Sequence, residues 1–539
     1  MSTRTNTVET ASNGSNVTTP EAAEHVDVLI VGAGISGIAA AHYIQANCPW
    51  ASYAVVEARE SMGGTWDLFR YPGVRSDSDM YTLGYSFRPW DGEKTIADGG
   101  DILRYLKATA VAEGIDEKIR FRHRVVKAEW STTDAVWTVT LERSEGDAVT
   151  LTCSFLMSCT GYYRYDHGHQ PDFAGRDDYQ GTFIHPQHWP EDLDYTDKKV
   201  VIIGSGATAV TLLPAMTDKA AHVTMLQRTP GYVASLPLRN PLARVLRAIL
   251  PDRVSSPIIR TSLTTFTQGS YFLSKARPDL VRKVLRKRVE AMLPKGYDVD
   301  THFNPTYNPW DQRLCAVPDG DMFKAIRAGK ASVVTDHIDT FTETGIRLRS
   351  GNELQADVVV SATGLDLLFM GGMELVVDGE PVVPGERLVY KGMMLEGVPN
   401  VGVAVGYTNA SWTMKAELTC QHVTRLLNHM RDRGLRQCTP RNQGGEQEQR
   451  PLLGLDSGYV ERASAYLPKQ GSREPWLVHQ NYWRDLKLIK RGAIDQDLEF
   501  SNPRRPDGGS GTKLDSETRS NETQSNETRS NENKELVAK

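Results

Sequence analysis

Three glycines and an acid define the first piece of chemistry. Gly32, Gly34 and Gly37 stand in the order G-x-G-x-x-G, and Glu57 follows 25 residues after Gly32. The first glycine permits a tight turn, the second lets backbone approach a pyrophosphate, and the third lets a helix pack closely on a strand. Unpaired N–H groups at the start of that helix, around Ser36, favour the phosphate charge. A carboxylate at Glu57 accepts hydrogen bonds from ribose hydroxyls and repels a 2′-phosphate, which selects an NAD- or FAD-like nucleotide. A second set lies downstream. Gly204, Gly206 and Ala209 form G-x-G-x-x-A with Ser205, Ala207 and Thr208 between them. Arg228 and Thr229 follow, with Arg228 24 residues after Gly204. A cation there suits a 2′-phosphate through bidentate, charge-assisted hydrogen bonds. One chain thus carries opposite charges at matched positions, the second set reading as a site for NADPH.

These residues need strand–helix–strand units to hold them. Residues 26–31 form an apolar, β-branched run that reads as a buried strand, 38–44 a helix of small and apolar residues, and 52–56 a second strand. Residues 198–203, 209–216 and 222–226 repeat the pattern. A helix is expected over 100–114 and strands over 125–130, 135–141 and 150–157. The glycine- and proline-rich stretch 58–77 reads as a loop, not a helix, and so does 301–318. Residues 235–300 are basic and interleaved with apolar side chains, which reads as a helical insertion. Solvated amphipathic helices are the simpler account of it, with a membrane-surface or acidic-partner patch as the other. A buried strand over 357–360 ends in Ser361-Ala362-Thr363-Gly364 and echoes Ser158-Cys159-Thr160-Gly161; such turns suit backbone passing close to a nucleotide.

The fold expected is therefore α/β, with two Rossmann-like dinucleotide-binding domains and a helical insertion. Residues 25–165 and 366–500 would form the domain of the first cradle, 166–234 and 320–365 that of the second, and 235–319 the insertion with the loop that follows it; the resemblance given below makes these the FAD domain, the NADP domain and the insertion with the active-site loop. Residues 1–24 and the five-residue polar repeat within 501–539 cannot bury a core and are expected to be disordered.

Composition excludes several classes. The 539 residues are 40% hydrophobic and 24% charged, with a net charge of −5, so nothing draws the whole chain to nucleic acid. No signal peptide and no run of 18 apolar residues is visible. The six cysteines make no C-x-x-C or C-x-x-x-x-C pair, which argues against zinc, a disulfide framework and a disulfide reductase. A cytoplasmic location is expected, with peripheral membrane contact as an alternative. His185, His188 and Glu191 have metal-like spacing, but Pro186 and Pro190 break the helix that would align them, so no metal is expected.

Two further stretches carry a resemblance. Tyr179-Gln180-Gly181-Thr182-Phe183-Ile184-His185-Pro186-Gln187-His188-Trp189-Pro190 resembles the F-x-G-x-x-x-H-x-x-x-W-P fingerprint of the class B flavoprotein monooxygenases, with Tyr179 in place of Phe. Gly63-Gly64-Thr65-Trp66 through Tyr71-Pro72-Gly73 to Asp77 is similar to the second signature of the Baeyer–Villiger members. Residues 63–90, 189–193, 204–209 and 307–318 look like the ethionamide-activating subgroup.

The resemblance implies FAD and NADPH as cofactors. It implies insertion of one oxygen atom of O₂ beside a ketone carbonyl through a C4a-peroxyflavin, giving an ester or lactone, with sulfoxidation of sulfides or thioamides as a side activity. It implies Arg313 as the active-site cation, oriented by Asp77, and a linker role for Tyr179, Gly181, His185 and Trp189. FAD contacts carried over are Gly32, Gly34, Ser36, Gly37, Glu57, Thr65, Trp66, Asp77 and Val125. Those for NADP are Gly204, Ser205, Gly206, Ala207, Thr208, Ala209, Arg228 and Thr229, with Arg75 and Ser76 at the nicotinamide end. An N- or S-oxidising flavin-containing monooxygenase is the alternative. Trp189-Pro190 and Tyr71-Pro72-Gly73 favour the Baeyer–Villiger form.

Overall fold

The computed structural model describes residues 23–143 and 146–503. Most of the polar N-terminal extension and of the repeat tail lies outside them. Two sheets carry the two glycine turns. In the first, the strand Glu24–Val31 pairs in parallel with Tyr53–Val56 on one side and Ala148–Ser158 on the other. The antiparallel strands His123–Ser131, Val136–Arg143 and Ala148–Ser158 extend it, and Glu374–Val377 and Val401–Val403 join it from the distal half of the chain. The second sheet is all parallel, in the order Ala331–Thr335, His222–Gln227, Lys199–Ile203, Val358–Ser361, Thr182–Ile184.

Alternation decides which face each side chain serves. Val28 and Ile30 enter one hydrophobic cluster, Leu29 and Val31 the cluster on the opposite face. In the second sheet Val200, Ile202, Val358 and Val360 face one way and Val201, Ile203 and Val359 the other. Strands covered on both faces are apolar throughout, which is why these runs do not alternate with polar residues. Each such side chain, fully buried, contributes about 1.5–3 kcal/mol.

The insertion is helical over Pro241–Ile249, Asp252–Ala276, Pro278–Met292 and Val299–Phe303. Asn240 accepts a hydrogen bond from the Ala243 N–H and Pro241 opens the helix, a favoured start because proline lacks the N–H that would be orphaned there.

Four expectations need correction. The stretch 58–77 holds one helical turn, Thr65–Leu68, because Gly63 and Gly64 at positive φ turn the chain and buried Asp67 is tied to Arg59, Arg70 and Ser61. Residues 301–318 are not all loop: they include the end of a helix, and Cys315–Pro318 pairs in parallel with Val233–Leu236, a partner too distant for local pattern to reveal. The first strand starts at Glu24, inside the segment expected to be disordered, where Arg120 pairs with the Glu24 carboxylate at 2.5 Å. At the other end Leu498–Ser501 pairs with Gln437–Pro440, so order runs past residue 500.

Candidate active site

The first turn is built by close contacts. Gly32 has φ +105°, and a Cβ there would stand 2.6 Å from the Cys159 carbonyl oxygen. Gly204 repeats this: φ +134°, with the Ala362 carbonyl oxygen 2.4 Å from where a Cβ would sit. The two Thr-Gly echoes in the sequence are thus the strand ends against which each glycine turn packs. A Cβ on Gly37 would strike the Gly32 carbonyl oxygen at 1.8 Å, and Ala209 is fully buried. The third position of the first motif is therefore pressed against its own turn. Gly206 faces open space, as a residue kept clear for a ligand would.

A cavity of about 600 Å³ runs from the first turn to the interface of the two units. Gly32, Gly34, Ser36, Glu57, Thr65, Trp66, Arg75, Ser76, Asp77, Val125, Ala207, Thr208 and Arg313 line it. Gly204, Ser205, Gly206, Arg228 and Thr229 are not among its lining residues, and Arg228 and Thr229 are exposed. Glu57 is buried, and its carboxylate accepts N–H bonds from Ala33 (2.8 Å) and Arg59 (3.0 Å). Burial pushes its pKa up against those two bonds, and each oxygen retains capacity for a ribose hydroxyl. These features fit a dinucleotide: a glycine cradle, an acid at its rim, and a second cradle facing open space.

Arg313 Nη1 donates to Asp77 Oδ2 at 2.5 Å. Each side chain keeps 32% of its surface open, and both line the cavity. Asp77 raises the guanidinium pKa still further above its ordinary value, so Arg313 is a permanent cation. Its Nε is buried with no hydrogen-bond partner among the described residues, as is Nη2 of Arg75. Arg75 Nη1 meets Asp321 at 2.5 Å, across the join between the two units.

Both signatures lie at that join. A Cβ on Gly73 would stand 2.6 Å from Ala215 Cβ, so the Tyr71-Pro72-Gly73 turn is pressed against the helix Ala207–Met216 of the second unit. In the fingerprint, Tyr179 donates to the Ala356 carbonyl at 3.0 Å, and a Cβ on Gly181 would strike that tyrosine's hydroxyl. His185 Nε2 donates to the Gly364 carbonyl at 3.2 Å, and the Gln187 amide donates to the Arg164 carbonyl at 2.7 Å. Thr363 reaches the His169 carbonyl at 2.6 Å. The fingerprint therefore clips together the outgoing segment near 164–169 and the returning one near 362–364. Burial lowers the His185 pKa, leaving it neutral. Trp189 packs edge-on against Tyr195, away from the cavity.

Some cavity residues are not legible in the sequence. Trp412 opens the helix Trp412–Asp432, donates Nε1–H to Ser36 at 2.8 Å and lies 4.9 Å from the Tyr162 ring. Tyr162, Tyr163 and Tyr407 also line the wall. The run from Gly406 to Trp412 is conspicuous in sequence but has no spacing that marks a site. All six cysteines are buried and free.

Residues 95–394 match the flavin-binding monooxygenase-like family, and residues 30–89 match an NAD(P)-binding Rossmann-like domain. The FAD-containing monooxygenase EthA of Mycobacterium tuberculosis is 54% identical over 487 residues, covering 90% of this chain and 99% of that relative. The chain belongs to the flavin-binding monooxygenase-like family. This monooxygenase is also 47% identical to the probable FAD-binding monooxygenase AlmA of Acinetobacter baylyi over 88% of its length and 95% of AlmA. Its fold is that of a steroid monooxygenase solved with NADP (TM-score 0.68, 20% identity, 89% of this chain and 100% of that one). OTEMO solved with FAD and NADP is similarly close (TM-score 0.69, 21% identity, 89% and 100%). Two dinucleotide-binding units on one α/β chain are the shared architecture.

Proposed function

We propose that this flavin monooxygenase holds FAD in the first cradle and NADPH in the second, and catalyses Baeyer–Villiger oxidation. A ketone, O₂, NADPH and a proton give an ester or lactone, water and NADP⁺. The bound flavin supplies the electron transfer from NADPH to O₂. The protein's part is position and charge. Glu57 would hold the ribose of FAD, and Gly34 and Ser36 its pyrophosphate. Arg228 and Thr229 would hold the 2′-phosphate of NADPH, with Arg75 and Ser76 nearer the nicotinamide. Arg313 stands as a fixed cation where negative charge gathers on the carbonyl oxygen, and it cannot release a proton there. Asp77 aims it. Trp66, Tyr162 and Trp412 restrict water.

The observation that carries this reading is the Asp77–Arg313 pair opening onto a cavity that reaches from the first glycine turn to Ala207 and Thr208, the first residues of the helix after the second. Sulfides and thioamides are proposed side substrates of the same site. The proposed setting is the cytoplasm, with contact to a membrane peripheral rather than inserted: no helix among the described residues is long and apolar enough to cross one. Product analysis on a simple aliphatic ketone with NADPH and O₂ tests the proposal. An ester supports it; sulfide or amine oxidation with no ester replaces it by the N- or S-oxidising alternative.

A further inference from the structure

The helices from Pro241 to Met292 are unlike the rest of the surface. Ten of the fourteen large hydrophobic side chains exposed among the described residues lie on them. Ile249 and Phe266 are each 69% exposed, and Leu280 and Val284, one helical turn apart, are 54% and 43%. The inner faces are anchored to the body. Arg247 donates to carbonyls at Trp90, Asp91 and Gly92, and Arg260 to those of Tyr81 and Gly84 and to the Glu417 carboxylate. The apolar side chains therefore point outward by construction, not through loose packing. Large apolar side chains exposed in this number on one set of helices mark an interaction site.

Charge identifies the occupant. Residues 241–292 hold eleven Lys and Arg against three Asp and Glu, in a chain whose net charge is −5. Arg253, Lys283, Lys287 and Arg288 are exposed, and no carboxylate pairs with them among the described residues. Amphipathic helices with apolar side chains outward and cations beside them suit the interface of an anionic bilayer. A nucleic acid would use the cations and leave the apolar side chains wet.

We infer that the outer face of these three helices docks the enzyme on an anionic lipid surface, from which it draws lipophilic ketones. The same helices hold the loop that carries Arg313. Lys275 pairs with Asp311 at 2.8 Å, Arg282 donates to Asn308 at 2.9 Å, and Tyr271 packs against Trp310 with ring centroids 5.6 Å apart. Docked helices and catalytic loop are thus one body. The choice of ketones rests on the proposed function; the docking does not.

Sedimentation of the FAD-loaded full chain with vesicles tests the docking. Phosphatidylglycerol-rich vesicles should pellet about tenfold more enzyme than pure phosphatidylcholine vesicles, and salt at about 0.5 M should remove the difference. Ile249→Ser with Phe266→Ser should cut binding about tenfold at unchanged flavin content and NADPH oxidation. Lys283→Glu with Lys287→Glu, which leaves the apolar residues in place, should also weaken it. Equal pelleting by both lipids, or full binding by both variants, overturns the inference. A wild-type dimer that the Ile249→Ser/Phe266→Ser variant dissociates also overturns it, since the face would then belong to a second copy. Vesicle binding without any ester from a long-chain ketone would sink the ketone reading and leave the docking intact.

Discussion

Removing the Arg228 guanidinium should erode the preference for NADPH over NADH by a calculable amount. Arg228 follows Gln227, which is buried and whose amide donates to the His302 carbonyl (2.8 Å) and to Thr335 Oγ1 (2.9 Å). The strand end is therefore fixed, and substitution one residue later should not move it. Arg228 itself is exposed and makes no ion pair with the described residues, so binding a phosphate breaks no internal contact. A hydrogen bond to a charged group is worth about 1.5–3 kcal/mol, and exposure to solvent places this one near the lower end. A loss of about 1.5–2 kcal/mol corresponds to about 10- to 30-fold in the NADPH/NADH ratio of kcat/KM. Anaerobic stopped-flow reduction of the flavin by each nucleotide measures it for wild type and Arg228→Ala. NADH should be almost unaffected, since it has no phosphate to lose. Arg228→Lys should retain part of the preference as a point charge. A ratio within twofold of wild type would refute the assignment.

Arg313→Ala should leave reduction of the flavin by NADPH intact and lower ester formation by about 100- to 1,000-fold, the cost of losing a preorganised group that stabilises developing charge; gas chromatography of the products measures it. In Asp77→Asn the guanidinium keeps an acceptor but loses an anion, so ester formation should fall by about 5- to 30-fold, equivalent to about 1–2 kcal/mol, with the surplus NADPH appearing as hydrogen peroxide. Lys391 is 2% exposed, and burial pushes its pKa down to about 8 from 10.5. The unfolded chain holds that proton more tightly, so folding is penalised in full below pH 8 and the penalty fades as pH rises to 10.5. Lys391→Met should raise stability at pH 7 by up to about 3 kcal/mol, less whatever the bond from Nζ to the Ala493 carbonyl contributes, and by far less at pH 10.5. Urea melts at the two pH values check the sign.

The sequence carried the parts of the site that depend on local pattern. Each glycine turn is a few residues long and sits between its own strand and helix, so Gly32 and Gly204 could be read directly. The opposite charges Glu57 and Arg228 came with them, because strand–helix–strand length fixes where the second strand ends. The contacts between units did not. Nothing near Gly73 in the chain says that its missing side chain makes room for Ala215, nor does anything near Cys315 announce a strand whose partner begins at Val233. Arg313 and Asp77 are 236 positions apart, and only the family pattern joined them in advance. Trp412 reached the cavity wall through the packing of a helix from the distal half of the chain, an arrangement that no periodicity encodes.

Labelled dioxygen gives the most direct test of the central claim. Purified enzyme supplied with FAD, NADPH, a simple aliphatic ketone and ¹⁸O₂ should yield an ester carrying one ¹⁸O, in the bridging position, and labelled water. Unlabelled ester, or NADPH consumed with the ketone recovered unchanged, would contradict it.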